Sequence, residues 1–365
     1  MAVNPFKPTA GAVPPLLVGR DAPLAEVDEG IQAGPGHPAR ITIFTGARGT
    51  GKTVMLTEAG DRAMAHGWLV IDESASPGML ARIGEAVDRL LDGVNPRARR
   101  RVTGVSIGGL GSVETQLTPQ LTEGVRHRIG RLLDTLEKDG TGLLITVDEV
   151  QARSDDLREL ALITQHLVRE GREFAIVMAG LPSAVSDLLR SDTQGRVLTF
   201  LRRADKHVLA DVDIDEVHEA LVQTVTDNGR TIDEDAARAA AEATHGYPFL
   251  IQLVGFHVWR AASGDRITRA DVDAGIDAAR ERLGTLVTET ALADLSPRDL
   301  DMLRAMALDG GPSRMVDLAE RTGMARQNAD TYRRRLLDAG VIVQVGRGQV
   351  DFALPYLREH LRARL

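Results

Sequence analysis

The sequence has no cysteine, and it is poor in aromatic residues and in lysine. The absence of cysteine excludes disulfide bonds and thiolate chemistry. There is also no apolar run long enough to cross a bilayer. The N-terminal segment carries four prolines and no apolar signal core, so we expect a cytoplasmic protein without a membrane partner. With 365 residues, 43% of them hydrophobic, the chain can form two or three domains with buried cores.

Charge is distributed unevenly along the chain. The net charge is −8, which argues against a protein that coats nucleic acid along its whole surface. Residues 296–365 contain twelve arginines and nine acidic residues, a balance of +3, so the rest of the chain carries −11. A nucleic-acid contact, if the protein makes one, is therefore expected in this C-terminal segment.

The most specific motif is a glycine-rich loop that follows a predicted strand at residues 41–44. Residues 46–53, GARGTGKT, match G-x-x-x-x-G-K-[ST], the P-loop that binds nucleotide phosphates with backbone N–H groups and a helix N-terminus. In this motif the lysine reaches the β- and γ-phosphates, and the hydroxyl that follows binds Mg²⁺. The predicted cofactors are ATP and Mg²⁺, and the predicted nucleotide-binding residues are Gly46, Ala47, Arg48, Gly49, Thr50, Gly51, Lys52, Thr53 and Val54.

A pair of acidic residues marks a second chemical centre. Residues 142–147 form an apolar run, typical of a strand buried on both faces, and the run ends at Asp148 and Glu149. Ligands bind at the carboxyl ends of strands in open α/β sheets. We expect Asp148 and Thr53 to hold Mg²⁺. We expect Glu149 and Lys52 to act in catalysis, with Glu149 polarising the water that attacks the γ-phosphate.

The order of predicted elements indicates the fold class. Strands and helices alternate to about residue 210, which predicts an α/β fold with a parallel, doubly wound sheet. Within it, the basic run 97–101 is interpreted as a solvated loop, with a nucleic-acid contact as the alternative, and residues 105–111 as an irregular hairpin. The predicted domains are an extended N-terminal arm (1–20), a P-loop ATPase α/β domain (21–210), a helical lid (211–293) and a winged helix-turn-helix domain (294–365).

The C-terminal segment contains three predicted helices followed by a hairpin. This order is typical of a winged helix-turn-helix, in which the third helix, here residues 325–339, enters the DNA major groove. Amide side chains near its start are suited to adenine edges, and arginines are suited to phosphates. The candidate DNA-binding residues are Arg326, Gln327, Asn328, Arg333, Arg334 and Arg347.

These motifs together resemble AAA+-type ATPases, in particular the bacterial and archaeal ATPases grouped with origin-recognition initiators and with the signalling (STAND) branch. Residues 18–21, VGRD, resemble the box that precedes the P-loop, which implies that Gly19 and Arg20 lie near the adenine. Residues 246–248, GYP, resemble the G-x-P element of the signalling branch, which implies that Pro248 contacts the base. The resemblance covers nearly the whole chain.

The resemblance also implies an arginine finger and shows two departures. Residues 200–203 occupy the place of the finger, so Arg202 or Arg203 would act on a neighbouring subunit's ATP; a surface ion pair is the alternative. The strand after the acidic pair ends at residues 179–182, AGLP, without the polar γ-phosphate sensor of the family, and Ser183 is the nearest hydroxyl. The lid helix after Pro248 lacks the early arginine that replicative initiators use. Both departures favour a slow switch over a fast motor.

Two functions stay open at this point. The first is an ATP-binding, slowly hydrolysing switch that binds double-stranded DNA through its winged helix. The second is an ATP-sensing signalling module in which the winged helix is structural, packs against the lid, and the partner is a protein; self-association is a further possible partnership. Exposure of the third helix at Arg326, Gln327, Asn328 and Arg334 would favour DNA, whereas burial of these residues would favour signalling.

Overall fold

The computed structural model describes residues 3–9, 11–93, 101–103, 119–151, 154–190, 199–284, 292–293 and 295–364. These residues separate into two compact units, and each is described by itself. The sheet unit comprises residues 20–46 and 52–209, and the helical unit comprises residues 1–19, 47–51 and 210–365. The five residues at the tip of the P-loop therefore group with the helical unit. No described helix is long and apolar enough to cross a membrane.

The sheet unit is built on six parallel strands. They are β1 Ile41–Thr45, β2 Leu69–Ser74, β3 Arg101–Thr103, β4 Leu143–Asp148, β5 Phe174–Gly180 and β6 Asp205–Val208. Their order across the sheet is β3-β2-β4-β5-β1-β6, and every neighbouring pair is parallel. The central strands β4 and β5 are buried along almost their whole length, as strands covered on both faces must be. The predicted α/β fold with a parallel P-loop NTPase-like sheet is confirmed.

Six helices pack around this sheet. They are α1 Asp21–Ala33, α2 Lys52–Ala65, α3 Met79–Gly93, α4 Pro119–Leu136, α5 Asp155–Arg169 and α6 Pro182–Leu188. Apolar side chains from α3, α4 and α5, among them Ile83, Ile129 and Leu160, are fully buried in one core with the strands. A 3₁₀ turn, Thr199–Arg203, leads into β6.

One prediction for this unit is wrong. The basic run 97–101 was interpreted as a solvated loop, but its last residue opens β3, which pairs in parallel with β2 at Val70–Asp72. An arginine is compatible with a strand at the edge of a sheet, because the backbone makes the ladder and charged side chains there discourage pairing with another chain. The predicted hairpin at 105–111, and the remaining residues of the basic run, lie outside the described residues.

The first part of the helical unit contains four helices and a short strand pair. The helices are α7 Ile214–Asp227, α8 Glu234–Ala243, α9 Pro248–Ala261 and α10 Arg269–Leu283, and the strands are β7 Thr231–Ile232 and β8 Arg266–Ile267. Thr268 and Asp271 form a capping box at the start of α10. The N-terminal arm packs onto this part: Phe6 is buried and Asn4 Nδ2 donates to the Phe256 carbonyl over 3.0 Å.

The last part of the helical unit contains the three predicted helices and the hairpin, with two additions. The elements are α11 Pro297–Ala307, β9 Ser313–Arg314, α12 Met315–Arg321, α13 Arg326–Asp338, β10 Ile342–Gly346, β11 Gln349–Phe352 and α14 Leu357–Arg362. β9 joins the hairpin in an antiparallel sheet of order β10-β11-β9. Asp299 of α11 is fully buried, and its carboxylate lies 2.8 Å from the Arg335 guanidinium of α13, which ties two of the helices together. The sequence did not predict β9 and α14, and the winged-helix assignment stays an interpretation of this arrangement.

Candidate nucleotide site

The P-loop connects β1 to α2, as its position in the motif predicts. β1 ends at Thr45 and α2 begins at Lys52. Gly49 and Gly51 adopt φ values of 73° and 90°, a left-handed conformation that glycine takes without a steric penalty. The backbone therefore favours glycine at these two positions, where it curls so that the loop can present N–H groups to an anion.

Three side chains with assigned phosphate or metal roles lie together in the sheet unit. Lys52 Nζ donates to the Gly46 carbonyl over 2.9 Å, so the ammonium is held across the base of the loop. Thr53 Oγ1 donates to Asp148 Oδ2 over 2.6 Å, which joins the first turn of α2 to the end of β4. A hydroxyl and a carboxylate oxygen at this separation are hard oxygen donors of the kind that Mg²⁺ prefers, so the residues present fit that ion.

Glu149 adopts an uncommon backbone conformation. Its φ is 55°, in the left-handed region, although it is not a glycine. Its own N–H donates to Asp148 Oδ1 over 2.8 Å, which stabilises this conformation, and its side chain is exposed. A non-glycine residue in this region costs on the order of 1–3 kcal/mol, and such residues cluster at functional sites.

The position of the family's polar sensor is filled by packing. β5 ends at Gly180, and a Cβ atom there would collide with the side chain of Val150, which follows the acidic pair. The Val150 N–H also donates to the Ala179 carbonyl over 2.9 Å. The end of β5 therefore packs against the residue that follows the acidic pair. This close contact leaves no space for a polar side chain at Gly180. Ser183 lies in the first turn of α6.

The two candidate finger residues are both exposed. Arg202 and Arg203 close the 3₁₀ turn before β6. The Arg202 Nε donates to the Leu189 carbonyl over 2.9 Å, so this side chain is partly engaged within its own unit. Neither residue forms an ion pair among the described residues, so the surface ion-pair alternative has no support in that part of the chain.

The G-x-P element lies in the helical unit and contacts the tip of the P-loop, which belongs to the same unit. Gly246 has φ 72°, and a Cβ there would collide with the Val212 carbonyl oxygen. Pro248 is the first residue of α9. Between them, Tyr247 is 1% exposed, and its hydroxyl donates to the Arg48 carbonyl over 2.9 Å. Burial raises the pKa of Tyr247 well above its ordinary value, so the phenol remains a proton donor.

A second contact joins the loop tip to α13. Arg48 Nε donates to the carbonyl oxygen of Ala339, the residue that caps the C-terminus of that helix, over 3.1 Å. A cation at this end of a helix also interacts favourably with the helix dipole. Sequence analysis assigned Arg48 only to the phosphates and gave Tyr247 no role, because a contact between residues 291 positions apart leaves no signal in the local pattern.

The remaining candidate residues have the following surroundings. Gly19 has φ 66° and lies beside Val212 and Glu216, whereas Arg20, in the sheet unit, is buried at the start of α1. On α13 and the hairpin, the exposed candidates are Arg326, Gln327, Asn328, Arg334 and Arg347. Arg333 differs from them, because its guanidinium donates to Gln344 and pairs with Asp330.

Comparisons with known proteins support the assignment of the region that contains the P-loop. Residues 16–177 match the family model of the AAA ATPase domain, and residues 286–361 match a domain of unknown function, DUF8462. No curated protein matches the chain in sequence. Among solved structures, the Walker-type ATPase PABY2304 of Pyrococcus abyssi is similar, with a TM-score of 0.66 and 17% identity over 95% of this chain and 96% of that chain.

Two further structures are similar at lower scores. The RuvB Holliday junction branch migration motor of Thermotoga maritima has a TM-score of 0.46 and 15% identity over 94% of this chain and 95% of that chain. Domain III of the replication initiation protein DnaA of Thermotoga maritima has a TM-score of 0.44 and 14% identity over 75% of this chain and 98% of that chain. The fold conclusion depends on the Pyrococcus abyssi protein and the family match. The chain therefore contains, in the region that matches the family model, an AAA+ ATPase-like nucleotide-binding domain with a P-loop.

Proposed function

We propose that the protein binds Mg-ATP at its P-loop, hydrolyses it slowly, and uses the nucleotide state to control a C-terminal winged helix that binds duplex DNA. The observation that carries the proposal is the 2.6 Å contact between the Thr53 hydroxyl and the Asp148 carboxylate, next to Lys52 at the base of the loop. A P-loop hydroxyl and a carboxylate at a strand end are the groups that hold Mg²⁺ in P-loop NTPases.

Each residue has a defined task in this proposal. Backbone N–H groups of the loop bind the phosphates, and the Lys52 ammonium neutralises charge on the β- and γ-phosphates. Thr53 and Asp148 would hold the magnesium ion, which supplies charge stabilisation when bound. Glu149, exposed after β4, would accept a proton from the attacking water.

The ATP site is tested with two variants. Lys52→Ala should abolish ATP binding, because no other lysine of the chain lies near the P-loop in sequence. Glu149→Gln should bind ATP with unchanged affinity and lose turnover, because it removes only the base. Calorimetry with ATP and phosphate release measure the two effects. Unchanged affinity in the Lys52 variant would contradict the assignment of the P-loop.

Two features of the described residues, the apolar sensor position and the exposed candidate finger, support slow hydrolysis. Gly180 and Val150 fill the sensor position with apolar contacts. Arg202 and Arg203 are exposed, so a finger would have to act on another copy of the chain. Phosphoryl transfer depends on positioning and charge stabilisation, so a subunit without a finger in place is expected to turn over slowly.

Nucleotide control of the C-terminal part is supported by the contacts of the loop tip. The Arg48 carbonyl accepts from Tyr247 at the start of α9, and the Arg48 side chain donates to Ala339 at the end of α13. A change in the loop on phosphate binding would therefore reach α13 through the hydrogen bond between the Arg48 side chain and the Ala339 carbonyl.

DNA binding is supported by charge and exposure. Residues 296–365 carry a balance of +3. On α13, Arg326, Gln327, Asn328 and Arg334 are exposed together, and Arg347 is exposed between β10 and β11. In this interpretation the arginines contact phosphates, and the amides contact bases in the major groove.

A filter-binding assay of the full chain with mixed duplex DNA, with and without ATP, tests this part. Affinity should fall with salt by about 0.9 log units per log unit for each phosphate contact. The double variant Arg334→Ala, Arg347→Ala should flatten that slope and keep ATP affinity. A matched control, Arg238→Ala with Arg269→Ala, removes two exposed arginines of α8 and α10 and should leave the slope unchanged.

The signalling module is the second candidate function, and the Arg48–Ala339 contact favours it. In this candidate, α13 serves to lock the P-loop tip, and a protein partner releases it. If the full chain retains no duplex at low salt with or without ATP, while ATP binding is intact, the DNA proposal is wrong and the signalling module stands.

A further inference from the structure

Three metal-ligating side chains converge in the sheet unit, and none of them belongs to the nucleotide site described above. Glu26 of α1 meets Asp205 and His207 of β6, and one donor atom from each lies within 4.8 Å of the other two. Asp205 and His207 point to the same face because side chains two apart on a strand do so. The fold, and not proximity in sequence, brings Glu26 to them.

The distances between the donor atoms fit a small tetrahedral cation. His207 Nε2 lies 3.0 Å from Asp205 Oδ2 and 3.7 Å from Glu26 Oε2. Ligands bound at about 2.0–2.1 Å in a tetrahedral zinc site are roughly 3.3 Å apart, so the observed distances lie on either side of that value. The backbone would not need to move to complete such a site.

The charge of the cluster is not balanced by a fixed cation. Within the residues that the structure describes, no lysine or arginine nitrogen lies within 4 Å of either carboxylate, and His207 is their basic neighbour. Two carboxylates within 4.8 Å of each other repel, and a bound cation would relieve that repulsion.

The imidazole is held in place for ligation. The His207 side chain is 14% exposed, and its ring packs against that of Phe44 of β1, with centroids 5.9 Å apart. β6 pairs with β1 through this position, so both the strand and the ring are fixed. Glu26 is the more exposed ligand, which leaves room on that side for a water molecule.

We propose that Glu26, Asp205 and His207 form a site for a divalent transition-metal ion of the zinc type, with water at the fourth position. One imidazole and two carboxylates suit Zn²⁺ or Co²⁺, whereas Mg²⁺ prefers oxygen ligands and octahedral geometry. A bound ion would cross-link α1 to the edge strand β6 and stabilise the sheet unit. This site is independent of the proposed ATPase and DNA-binding functions.

The chain offers a matched control for the test. Asp28 of the same helix faces His66 at 2.7 Å, a carboxylate–histidine pair that lacks a second carboxylate among the described residues. Replacing His66 therefore removes a histidine that contacts α1 and leaves the three residues of the proposed site in place. Any loss of metal binding that follows removal of His207, but not of His66, is specific to the cluster.

The full-length protein, stripped with EDTA and kept free of nucleotide and magnesium, is titrated with ZnCl₂ by calorimetry, and with CoCl₂ by visible absorption. We expect one zinc ion per chain in the wild type and in His66→Ala, and at least about tenfold weaker binding in His207→Ala and Glu26→Gln. The cobalt spectrum should show the visible bands of a tetrahedral site in the same two proteins, and affinity should fall as the pH is lowered because the ligands must be deprotonated.

Two results would overturn the proposal. One is equal zinc affinity in the wild type and in both cluster variants; the other is no zinc binding by the wild type at about 0.1 mM. Glu26→Gln keeps the test decisive even if His207→Ala does not fold, because Glu26 is a half-exposed helix residue and its replacement preserves shape.

Discussion

The hydroxyl of Tyr247 provides a sharp test of how the P-loop is supported. Tyr247→Phe removes only the oxygen that donates to the Arg48 carbonyl over 2.9 Å, and the buried ring keeps its packing. A buried hydrogen bond of this kind contributes about 1 kcal/mol, and the exposed position of Arg48 lets water reach the carbonyl that is left. We expect the free energy of unfolding to fall by about 1 kcal/mol and the Tm by roughly 2 °C.

The same change should weaken ATP binding. Without the hydrogen bond, the tip of the loop must be ordered when the phosphates bind, and this cost reduces affinity. If the full 1 kcal/mol is transferred, the Kd for ATP rises about fivefold. Calorimetry with Mg-ATP, alongside thermal unfolding, measures both quantities.

Tyr356 offers a matched control in the same unit. Its hydroxyl donates to the Ala243 carbonyl over 2.6 Å and accepts from Arg280 Nη2 over 3.4 Å, and among the described residues it forms no hydrogen bond to the P-loop. Tyr356→Phe should therefore lose a similar amount of stability and keep the wild-type affinity for ATP. If the two variants lose the same stability and both bind ATP as the wild type does, the Tyr247 hydroxyl stabilises the fold without supporting ATP binding, and the argument is refuted.

Two further predictions concern assembly and acid stability. If Arg202 or Arg203 acts on a neighbouring subunit, ATPase activity per subunit should rise as protein concentration is raised from nanomolar to micromolar, and the double alanine variant should abolish the rise; a flat specific activity with a monomeric mass would count against it. The side chain of Arg321, by its hydrogen bond, lowers the pKa of Asp309 below its ordinary value. Asp309 then contributes stability that is present above about pH 4 and is lost as the pH falls through its folded pKa. The stability difference between wild type and Asp309→Asn, measured by urea unfolding, should shrink below about pH 4, and a difference that grows there would contradict this sign.

The sequence predicted the parts of the site whose chemistry is local. Lys52 and Thr53 belong to a contiguous motif, and Asp148 and Glu149 end an apolar strand, so residue types and spacing were sufficient. The structure brings Thr53 and Asp148 into contact, 95 positions apart, because β1 and β4 are strands of one parallel sheet that end at the same edge.

Features that depend on distant residues could not be predicted in this way. Tyr247 gave no signal because its partner is a backbone carbonyl 199 positions away, which any residue type could supply. The short strand β3 contains an arginine and only three residues, so its sequence resembles a loop and only the neighbouring β2 makes it a strand. The cluster of Glu26, Asp205 and His207 has no spacing pattern, because Glu26 is separated from the other two by most of the sequence of the sheet unit.

The contacts of the P-loop tip have a consequence for how the protein folds while it is being synthesised. Residues 47–51 are synthesised well before Tyr247 and Ala339, the partners of Arg48. Contacts across such long sequence separations form late, because a long loop must close first. A nascent or truncated chain that ends before residue 247 would carry the complete P-loop motif with an unsupported tip. Full affinity for ATP should accordingly appear only after residue 339 has been synthesised and α13 has folded, because both partners of Arg48 are present only then.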